Sequence, residues 1–235
     1  MSDPLARLEG GLVVSVQAPE GSPLGEASHM VAMARAAEAG GAAGVRAEGG
    51  ADIAAIRAAV ALPIIGLRKR RVPRSDVYIT RELADAHEVA AAGADILAVD
   101  ATLRPRPGDL SPDEFIAALT RELPQLVLAD VDSLEAGAAA REAGAAAVAT
   151  TLAGYTDASP ATAGPDLDLV ARLAAKLDCP VLAEGRYASP AAVRSALEAG
   201  AFAVVVGAAI TDPLALTRRF AAAAADVRRT SGAPN

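Results

Sequence analysis

The sequence is poor in the side chains that bind metals, form disulfides or stack on nucleic-acid bases. Its 235 residues include one cysteine, two histidines and no tryptophan, and aromatic residues make up 3%. Cys179 alone forms neither an intrachain disulfide nor a cysteine-based metal site, and His29 and His87 give little support to a histidine site. The formal net charge of -7 argues against a general polyanion binder. We therefore expect no metal and no nucleic-acid partner.

Long apolar runs are also missing. No stretch reaches the ~20 apolar residues that a membrane helix needs. The polar and charged residues 1–11 lack the apolar core of a signal peptide. We expect no membrane partner and a cytoplasmic location. Hydrophobic residues still make up 52% of the chain, which is enough for a large folded core.

Short apolar runs alternate with longer alanine-rich, charged segments. The runs predict strands at Leu12–Gln17, Ala43–Arg46, Pro63–Lys69, Ile96–Asp100, Leu126–Asp130, Ala146–Thr150, Val181–Glu184 and Ala203–Gly207. The segments between them predict helices at His29–Ala39, Asp52–Val60, Arg81–Ala92, Pro112–Leu123, Ser133–Ala143, Leu167–Leu177, Pro190–Ala199 and Pro213–Ala224. A strand followed by a helix, eight times, is typical of a closed parallel barrel.

The fold class predicted from this pattern is α/β, a single (β/α)₈ TIM barrel. The barrel is expected to span residues 1–225, with a flexible C-terminal tail at 226–235. An open, doubly wound sheet is the alternative. A faint internal repeat, marked by four glycines 51 to 56 residues apart, favours the closed architecture.

Polar side chains stand at the carboxyl ends of the predicted strands. In a barrel these ends meet at one mouth, where barrel enzymes hold their active sites. A buried charge costs several kcal/mol unless it is paired or used, so the set predicts a site. Single members have plainer explanations, since Asp130 is a potential helix cap and Lys69 lies in a cationic run typical of solvated surface. The set is Gln17, Arg46, Lys69, Asp100, Asp130, Thr150 with Thr151, and Glu184.

Small residues follow the last two strands, in the turns Gly185-Arg186 and Gly207-Ala208. Barrels often bind phosphate with these two loops. Glycine permits the close backbone approach that phosphate binding requires, and Arg186 would add a charged clamp. We predict a phosphate site at these four residues, although ordinary βα turns would have the same composition.

The stretch after the sixth strand begins with two threonines and continues as a loop of small residues to about Gly164. Long loops at the catalytic face commonly act as lids or binding loops. We expect Thr150, Thr151 and Tyr155 to contact a substrate. A plain flexible insertion is the alternative.

Eight motifs along the chain resemble those of the bacterial N-acetylmannosamine-6-phosphate 2-epimerases. They run in order from near residue 10 to near residue 213, so the resemblance covers most of the chain. The motifs are GGLVVSVQA (Gly10–Ala18), GVRAEG (Gly44–Gly49), PIIGLRKR (Pro63–Arg70), VYIT (Val77–Thr80), GADILAVDAT with RPRP (Gly93–Thr102, Arg104–Pro107), ATTLAGYT (Ala149–Thr156), AEGRYASP (Ala183–Pro190) and VVVGAAITDP (Val204–Pro213).

This resemblance implies interconversion of N-acetylmannosamine-6-phosphate and N-acetylglucosamine-6-phosphate, by inversion at carbon 2 without cofactor or metal. It assigns proton transfer at carbon 2 to Lys69, and an acid/base or polarising role to Glu184. Gln17, Arg46 and Asp130 fall on substrate-contacting positions. The expected partner is a sugar phosphate, and a homodimer is a further possibility. The family holds the phosphate at the positions of Gly185, Arg186, Gly207 and Ala208.

The chain departs from the family pattern around the proposed base. To act as a base Lys69 must be neutral, so its pKa has to fall below the ordinary value of ~10.4. The arginines on either side of it are predicted to contribute. The departures are Val16 for cysteine, Glu48 for asparagine, Arg68 for an aliphatic residue and Arg71 for an acid, and the cationic cluster is Arg68, Arg70, Arg71 and Arg74.

Two other interpretations fit the residues. A barrel does not fix a reaction, so the chain could be another phosphate-binding isomerase, synthase or aldolase, with Lys69 forming a Schiff base. It could also be a non-catalytic barrel that binds a sugar phosphate. Lys69 and Glu184, each within its motif, argue against a purely binding role.

Overall fold

Eight parallel strands close into a barrel in the order in which they occur in the chain. The computed structural model describes residues 3–19, 21–73, 75–108 and 110–231, and the side chains among them as far as residue 225. The closed ring, in which β1 pairs with both β2 and β8, confirms the predicted (β/α)₈ barrel and rules out the open sheet.

The strands and helices alternate along the chain. The strands are β1 (Leu12–Val16), β2 (Gly44–Glu48), β3 (Ile64–Leu67), β4 (Ile96–Asp100), β5 (Leu126–Asp130), β6 (Ala147–Ala149), β7 (Val181–Glu184) and β8 (Ala203–Val206). The helices are α1 (Ala27–Ala39), α2 (Gly50–Arg57), α3 (Leu83–Ala91), α4 (Pro112–Glu122), α5 (Leu134–Glu142), α6 (Leu167–Lys176), α7 (Pro190–Glu198), α8 (Ala208–Thr211) and α9 (Pro213–Ser231), after a 3₁₀ turn at Ala6–Leu8.

Most positions of each strand are apolar because both of its faces are buried. Side chains alternate between the two faces of a strand. In β4, Leu97 and Val99 pack outward among the helices, whereas Ile96 and Ala98 fill the barrel interior. Parallel strands covered on both faces read as continuous hydrophobic runs, which is why the eight runs were recognisable in the sequence.

The third strand is shorter than predicted. It ends at Leu67 rather than Lys69, and its pairing with β4 stops after Gly66 and Leu97. Beyond that point Lys69 forms an isolated antiparallel bridge with Ile79. The pairing partner of Lys69 therefore comes from the loop that follows it. Strand periodicity does not reveal this pairing.

The C-terminal region also differs from the prediction. The short helix α8 was not foreseen, and α9 continues past Ala224 to Ser231. Helical backbone thus extends into the predicted tail, and residues 232–235 lie outside the described residues, so a flexible tail remains a prediction. The main contact of α9 is with α8, and none of its residues 213–225 is buried.

No helix in the described part of the chain is long and apolar enough to cross a membrane.

Close packing between β3 and α3 predicts a strong effect of one added methyl group. A Cβ on Gly66 would lie 2.5 Å from Cγ1 of Val89 and 2.6 Å from Cβ of Ala94. We expect Gly66→Ala to lower the free energy of unfolding by about 1–3 kcal/mol, as overpacked cores do. Chemical denaturation would measure it. The control is Gly164→Ala, since a Cβ there meets nothing within 4 Å, and an equal loss in both variants would contradict the packing argument.

Candidate active site

Arg46 lies at the centre of the barrel mouth, with 1% of its side chain exposed. Its Nη1 and Nη2 donate to Oδ1 and Oδ2 of Asp130, at 3.0 and 2.6 Å. Nη1 also lies 2.9 Å from Oε2 of Glu184. Burial alone would lower the pKa of Arg46, but the two carboxyl groups raise it above its ordinary value. The arrangement therefore holds one permanent positive charge between the ends of β5 and β7.

Asp130 serves this ion pair and not the following helix. Its side chain is fully buried. The cap of α5 is Ser133, whose Oγ accepts from the backbone N–H of Ala136 at 3.1 Å. The interpretation of Asp130 as a helix cap is therefore wrong, and the carboxylate instead anchors Arg46.

Glu184 ends β7 with 16% of its side chain exposed. Burial raises the pKa of its carboxyl, and the neighbouring Asp130 raises it further, although Arg46 and Lys69 act in the opposite direction. Thr151 Oγ1 lies 2.5 Å from Asp130 Oδ1 and 3.3 Å from Glu184 Oε2. A hydroxyl has one hydrogen to donate. Thr151 therefore donates to one of the two carboxyl groups at a time, and the shorter contact favours Asp130 as the acceptor.

Thr150 fixes the backbone of Glu184. Its Oγ1 donates to the carbonyl of Glu184 at 2.9 Å and accepts from the Glu184 N–H at 3.0 Å. The sequence predicts that Thr150 contacts substrate. In the structure, both hydrogen bonds of its hydroxyl are made to the backbone of β7. Its structural effect is to set the height of Glu184 in the mouth.

Lys69 stands at the rim of the mouth, two residues after β3. Its backbone N–H donates to Glu48 Oε1 at 3.2 Å. The residue as a whole is exposed, but protein atoms crowd its amine, and this desolvation lowers the pKa. Arg46 lowers it further, against the opposing effect of Glu184, Glu48 and Asp130. Both effects shift Lys69 toward the neutral amine that a base requires.

The cation with the largest effect on the pKa of Lys69 is Arg46, and the neighbouring arginines have partners of their own. Arg68 Nη1 lies 3.4 Å from Glu48 Oε1, and Arg70 Nη2 lies 2.8 Å from Asp85 Oδ1. Arg71 stacks on the ring of Tyr78. A contribution of these three residues to the lowered pKa of Lys69 therefore stays a prediction, and Arg74 lies outside the described residues.

Gln17 follows β1 and offers an unused acceptor. Its Nε2 donates to Ser15 Oγ at 2.8 Å. Its Oε1 is buried and finds no hydrogen-bond partner among the described residues. Buried polar atoms are rarely left unpaired, so this oxygen is suited to a ligand hydroxyl or amide.

A cleft of about 360 Å³ adjoins these groups at the carboxyl ends of β6, β7 and β8. Arg46, Asp130 and Lys69 do not line this cleft, and Arg46 contacts its wall at Glu184. A groove of similar size between α4 and α5 holds none of the predicted site residues. The cleft brings together Thr151, Tyr155, Glu184 and all four predicted phosphate residues, Gly185, Arg186, Gly207 and Ala208.

The guanidinium of Arg186 ties down the loop after β6. Its Nε donates to the carbonyl of Gly164 at 2.7 Å, Nη1 to the carbonyl of Ala153 at 2.9 Å, and Nη2 to Thr162 Oγ1 at 3.0 Å. It also lies over the half-exposed ring of Tyr155, 4.9 Å from the centroid. Two of its five N–H groups are left for a ligand, so its direct phosphate contact remains a prediction.

Sequence reasoning missed three residues. Ser15 lines the cleft and holds Gln17, and its signal was a polar residue inside an apolar strand. Glu48 reaches Lys69 because β2 continues two residues beyond Arg46. Arg219 lines the cleft from α9, and no local pattern places that helix near the mouth.

The chemical capacity of this arrangement is proton transfer. A lysine of lowered pKa is a candidate base, and a carboxyl of raised pKa is a candidate hydrogen-bond donor. Both lie beside a glycine-lined cleft. Among the residues described, no group of three or more His, Cys, Asp or Glu side chains is placed to hold a metal ion.

Comparison with known proteins gives one consistent result. A family model described as "Putative N-acetylmannosamine-6-phosphate epimerase" matches residues 30–226. A relative from Caldanaerobacter subterraneus subsp. tengcongensis, named "Putative N-acetylmannosamine-6-phosphate 2-epimerase", is 47% identical over 93% of this chain and 92% of its own. A relative of the same name from Thermosynechococcus vestitus is 50% identical over 87% of this chain and 89% of its own.

The fold comparison agrees. The solved structure of the N-acetylmannosamine-6-phosphate 2-epimerase from Clostridium perfringens superposes with a TM-score of 0.89 at 38% identity. The match covers 92% of this chain and 94% of that one.

The electrostatic environment of Lys69 predicts how its pKa responds to Glu48. The Glu48 carboxylate raises the pKa of Lys69, so Glu48→Gln should lower that pKa while its amide oxygen still accepts from the Lys69 N–H. Selective isotope labelling of lysine and an NMR pH titration would measure the change. The chain has only two lysines, Lys69 and Lys176, so Lys69→Ala assigns the signals. An unchanged or raised pKa of Lys69 in Glu48→Gln would contradict the prediction.

Proposed function

The chain belongs to the N-acetylmannosamine-6-phosphate epimerase family, and we propose that it interconverts N-acetylmannosamine-6-phosphate and N-acetylglucosamine-6-phosphate by proton transfer at carbon 2. The observation that carries the proposal is the pairing of a lysine of lowered pKa with a carboxyl of raised pKa at one barrel mouth. Inversion at a carbon next to a carbonyl requires a base and an acid, and the lysine and the carboxyl are suited to these two roles.

The reaction begins with an open sugar. The hydrogen on carbon 2 is acidic only when carbon 1 is a carbonyl, because the electrons of the broken C–H bond then delocalise onto the carbonyl oxygen. The neutral amine of Lys69 takes this proton and becomes an ammonium. The enolate that forms is planar at carbon 2. The epimer forms when a proton reaches the opposite face, either from a second acid while the Lys69 ammonium returns its proton to solvent, or from the Lys69 ammonium itself after the enolate has rotated.

Glu184 stabilises the enolate. In its protonated form the carboxyl donates a hydrogen bond to the oxygen on carbon 1, where negative charge develops. Its height is fixed by Thr150, and Arg46 lies 2.9 Å from its Oε2. The same protonated carboxyl is suited to shuttle protons during ring opening.

The cleft beside Glu184 is suited to the phosphate. Gly185, Gly207 and Ala208 expose backbone there, and the loop held by Arg186 closes one side. Binding energy from the phosphate, remote from carbon 2, serves to position the reacting atoms. Gln17 and Arg46 would then contact the sugar.

The first test is proton NMR of N-acetylmannosamine-6-phosphate with the protein in D₂O. We expect N-acetylglucosamine-6-phosphate to appear with deuterium at carbon 2. Lys69→Ala should slow both conversion and exchange by at least about 10²-fold, the usual contribution of a general base. Lys176→Ala, the other lysine and exposed on α6, is the matched control.

Two outcomes would overturn the proposal. A folded wild-type protein that neither converts nor exchanges the substrate is not this epimerase. A fully active Lys69→Ala would remove Lys69 as the base. Trapping of substrate on Lys69 by borohydride would indicate Schiff-base chemistry, as in an aldolase.

We further propose that a second copy of this chain covers α9. This helix leaves Phe220 76% and Leu214 40% exposed. Apolar grooves of about 410 and 280 Å³ lie on either side of Ile210, between α7 and α1, where the eighth outer helix of a barrel would pack. Exchange of α9 between two protomers would bury both surfaces, and such swapping is a common route to dimers.

Light scattering after size-exclusion chromatography would test the dimer. We expect a dimer for the full chain and a shift toward monomer for Phe220→Glu, since a buried unpaired charge opposes association. Arg218→Glu, an exposed neighbour on the same helix, is the control for added negative charge. A monomeric wild type, or identical behaviour of all three proteins, would contradict this proposal.

A further inference from the structure

The barrel wall is interrupted next to Lys69. The strands β3 and β4 pair only at Ile65–Ile96 and Gly66–Leu97, whereas β4 and β5 stay paired through five positions to Asp100 and Asp130. The two strands thus separate toward the mouth, and the chain carrying Lys69 leaves the sheet there. Without another support, the backbone of Lys69 would have no partner on the β4 side.

Residues 77–80 fill this gap. The carbonyl of Ile79 accepts from the Asp100 N–H at 3.0 Å, and the Thr80 N–H donates to the carbonyl of Arg68 at 2.6 Å. Ile79 is 1% exposed and packs with the barrel interior. The segment therefore acts as a short inserted strand between β4 and the residues around Lys69.

One hydroxyl connects the two sides of the gap. Thr80 Oγ1 donates to the carbonyl of Ala98 in β4 at 2.7 Å and accepts from the backbone N–H of Arg68 at 3.1 Å. Thr80 is fully buried; its bond to Ala98 lies in the interior, and its bond to Arg68 is partly buried. Losing the hydroxyl would leave a buried carbonyl and a partly buried N–H without this partner.

The backbone of Thr80 is held in an unfavourable conformation. Its φ is +41°, in the left-handed region that β-branched residues rarely adopt. Such strain costs about 1–3 kcal/mol and persists only where the surroundings impose it. A glycine would relieve this strain but would have no hydroxyl. The two bonds at Oγ1 give a physical reason for threonine at this position.

We propose that Thr80 is a positioning residue for Lys69, its hydroxyl setting where the lysine emerges from the barrel relative to β4. This role rests on the proposed function, because the position of the backbone affects catalysis only if the Lys69 amine acts at carbon 2. Thr80 itself touches no reacting atom. It acts through Arg68, one residue before the base.

The test compares Thr80→Val with Thr80→Ser. Valine keeps the shape and branching but removes the hydroxyl, whereas serine keeps the hydroxyl. We expect Thr80→Val to lower kcat about 10-fold or more with KM changed less than about 3-fold, as for loss of an interaction that acts in the transition state. Thr80→Ser should recover most of the activity. Thr120→Val, an exposed threonine on α4 that donates only to Ala117 of its own helix, is the control.

A second readout does not depend on turnover. In the lysine NMR titration, Thr80→Val should shift the titration midpoint of Lys69, while Thr80→Ser and Thr120→Val should leave it near that of the wild type. A folded Thr80→Val with wild-type kcat and an unmoved Lys69 midpoint would overturn the proposal, even if it melts earlier. Failure of the wild type to turn over substrate would count against the proposed function, whereas the titration would still decide the role of Thr80.

Discussion

The buried charge of Arg46 is the constraint on which the site depends. A guanidinium with almost no solvent contact needs carboxylates within hydrogen-bonding distance, and removing one partner of a buried pair typically costs about 3–5 kcal/mol. Asp130 and Glu184 supply those groups from β5 and β7. Closure of the barrel is what brings them to β2, so the fold and the ion pair stabilise one another.

The chemistry follows from how that charge is shared. Asp130 takes the bidentate contact, and Glu184 takes a single one together with Thr151. Burial and the neighbouring Asp130 raise the pKa of Glu184, against the opposing effect of Arg46. The same guanidinium repels the ammonium form of Lys69. Arg46 thus shifts the base toward its neutral form, whereas burial shifts the acid beside it toward its protonated form, and enolate formation needs this combination.

The fold was predictable because its signals are local. Runs buried on both faces, such as Ile96–Asp100, show themselves as continuous apolar stretches, and polar residues such as Glu184 mark where each strand meets the mouth. Pairings between distant segments were not predictable. The cation with the largest effect on the pKa of Lys69 is Arg46, and β3 ends early where residues 77–80 are inserted. The first depends on side chains that meet across the barrel, and the second on backbone pairing with a following loop. Neither periodicity nor spacing encodes these contacts.

The most direct test of this account is the pKa of Lys69 after the charge of Arg46 is removed. Arg46→Gln keeps a hydrogen-bond donor for Asp130 but carries no charge, and circular dichroism would check that the barrel remains folded. The account predicts a higher pKa for Lys69, because the repelling guanidinium is gone and the carboxyl groups of Asp130 and Glu184 act on the ammonium instead. A Lys69 pKa that stays the same or falls in folded Arg46→Gln would contradict the central role of Arg46.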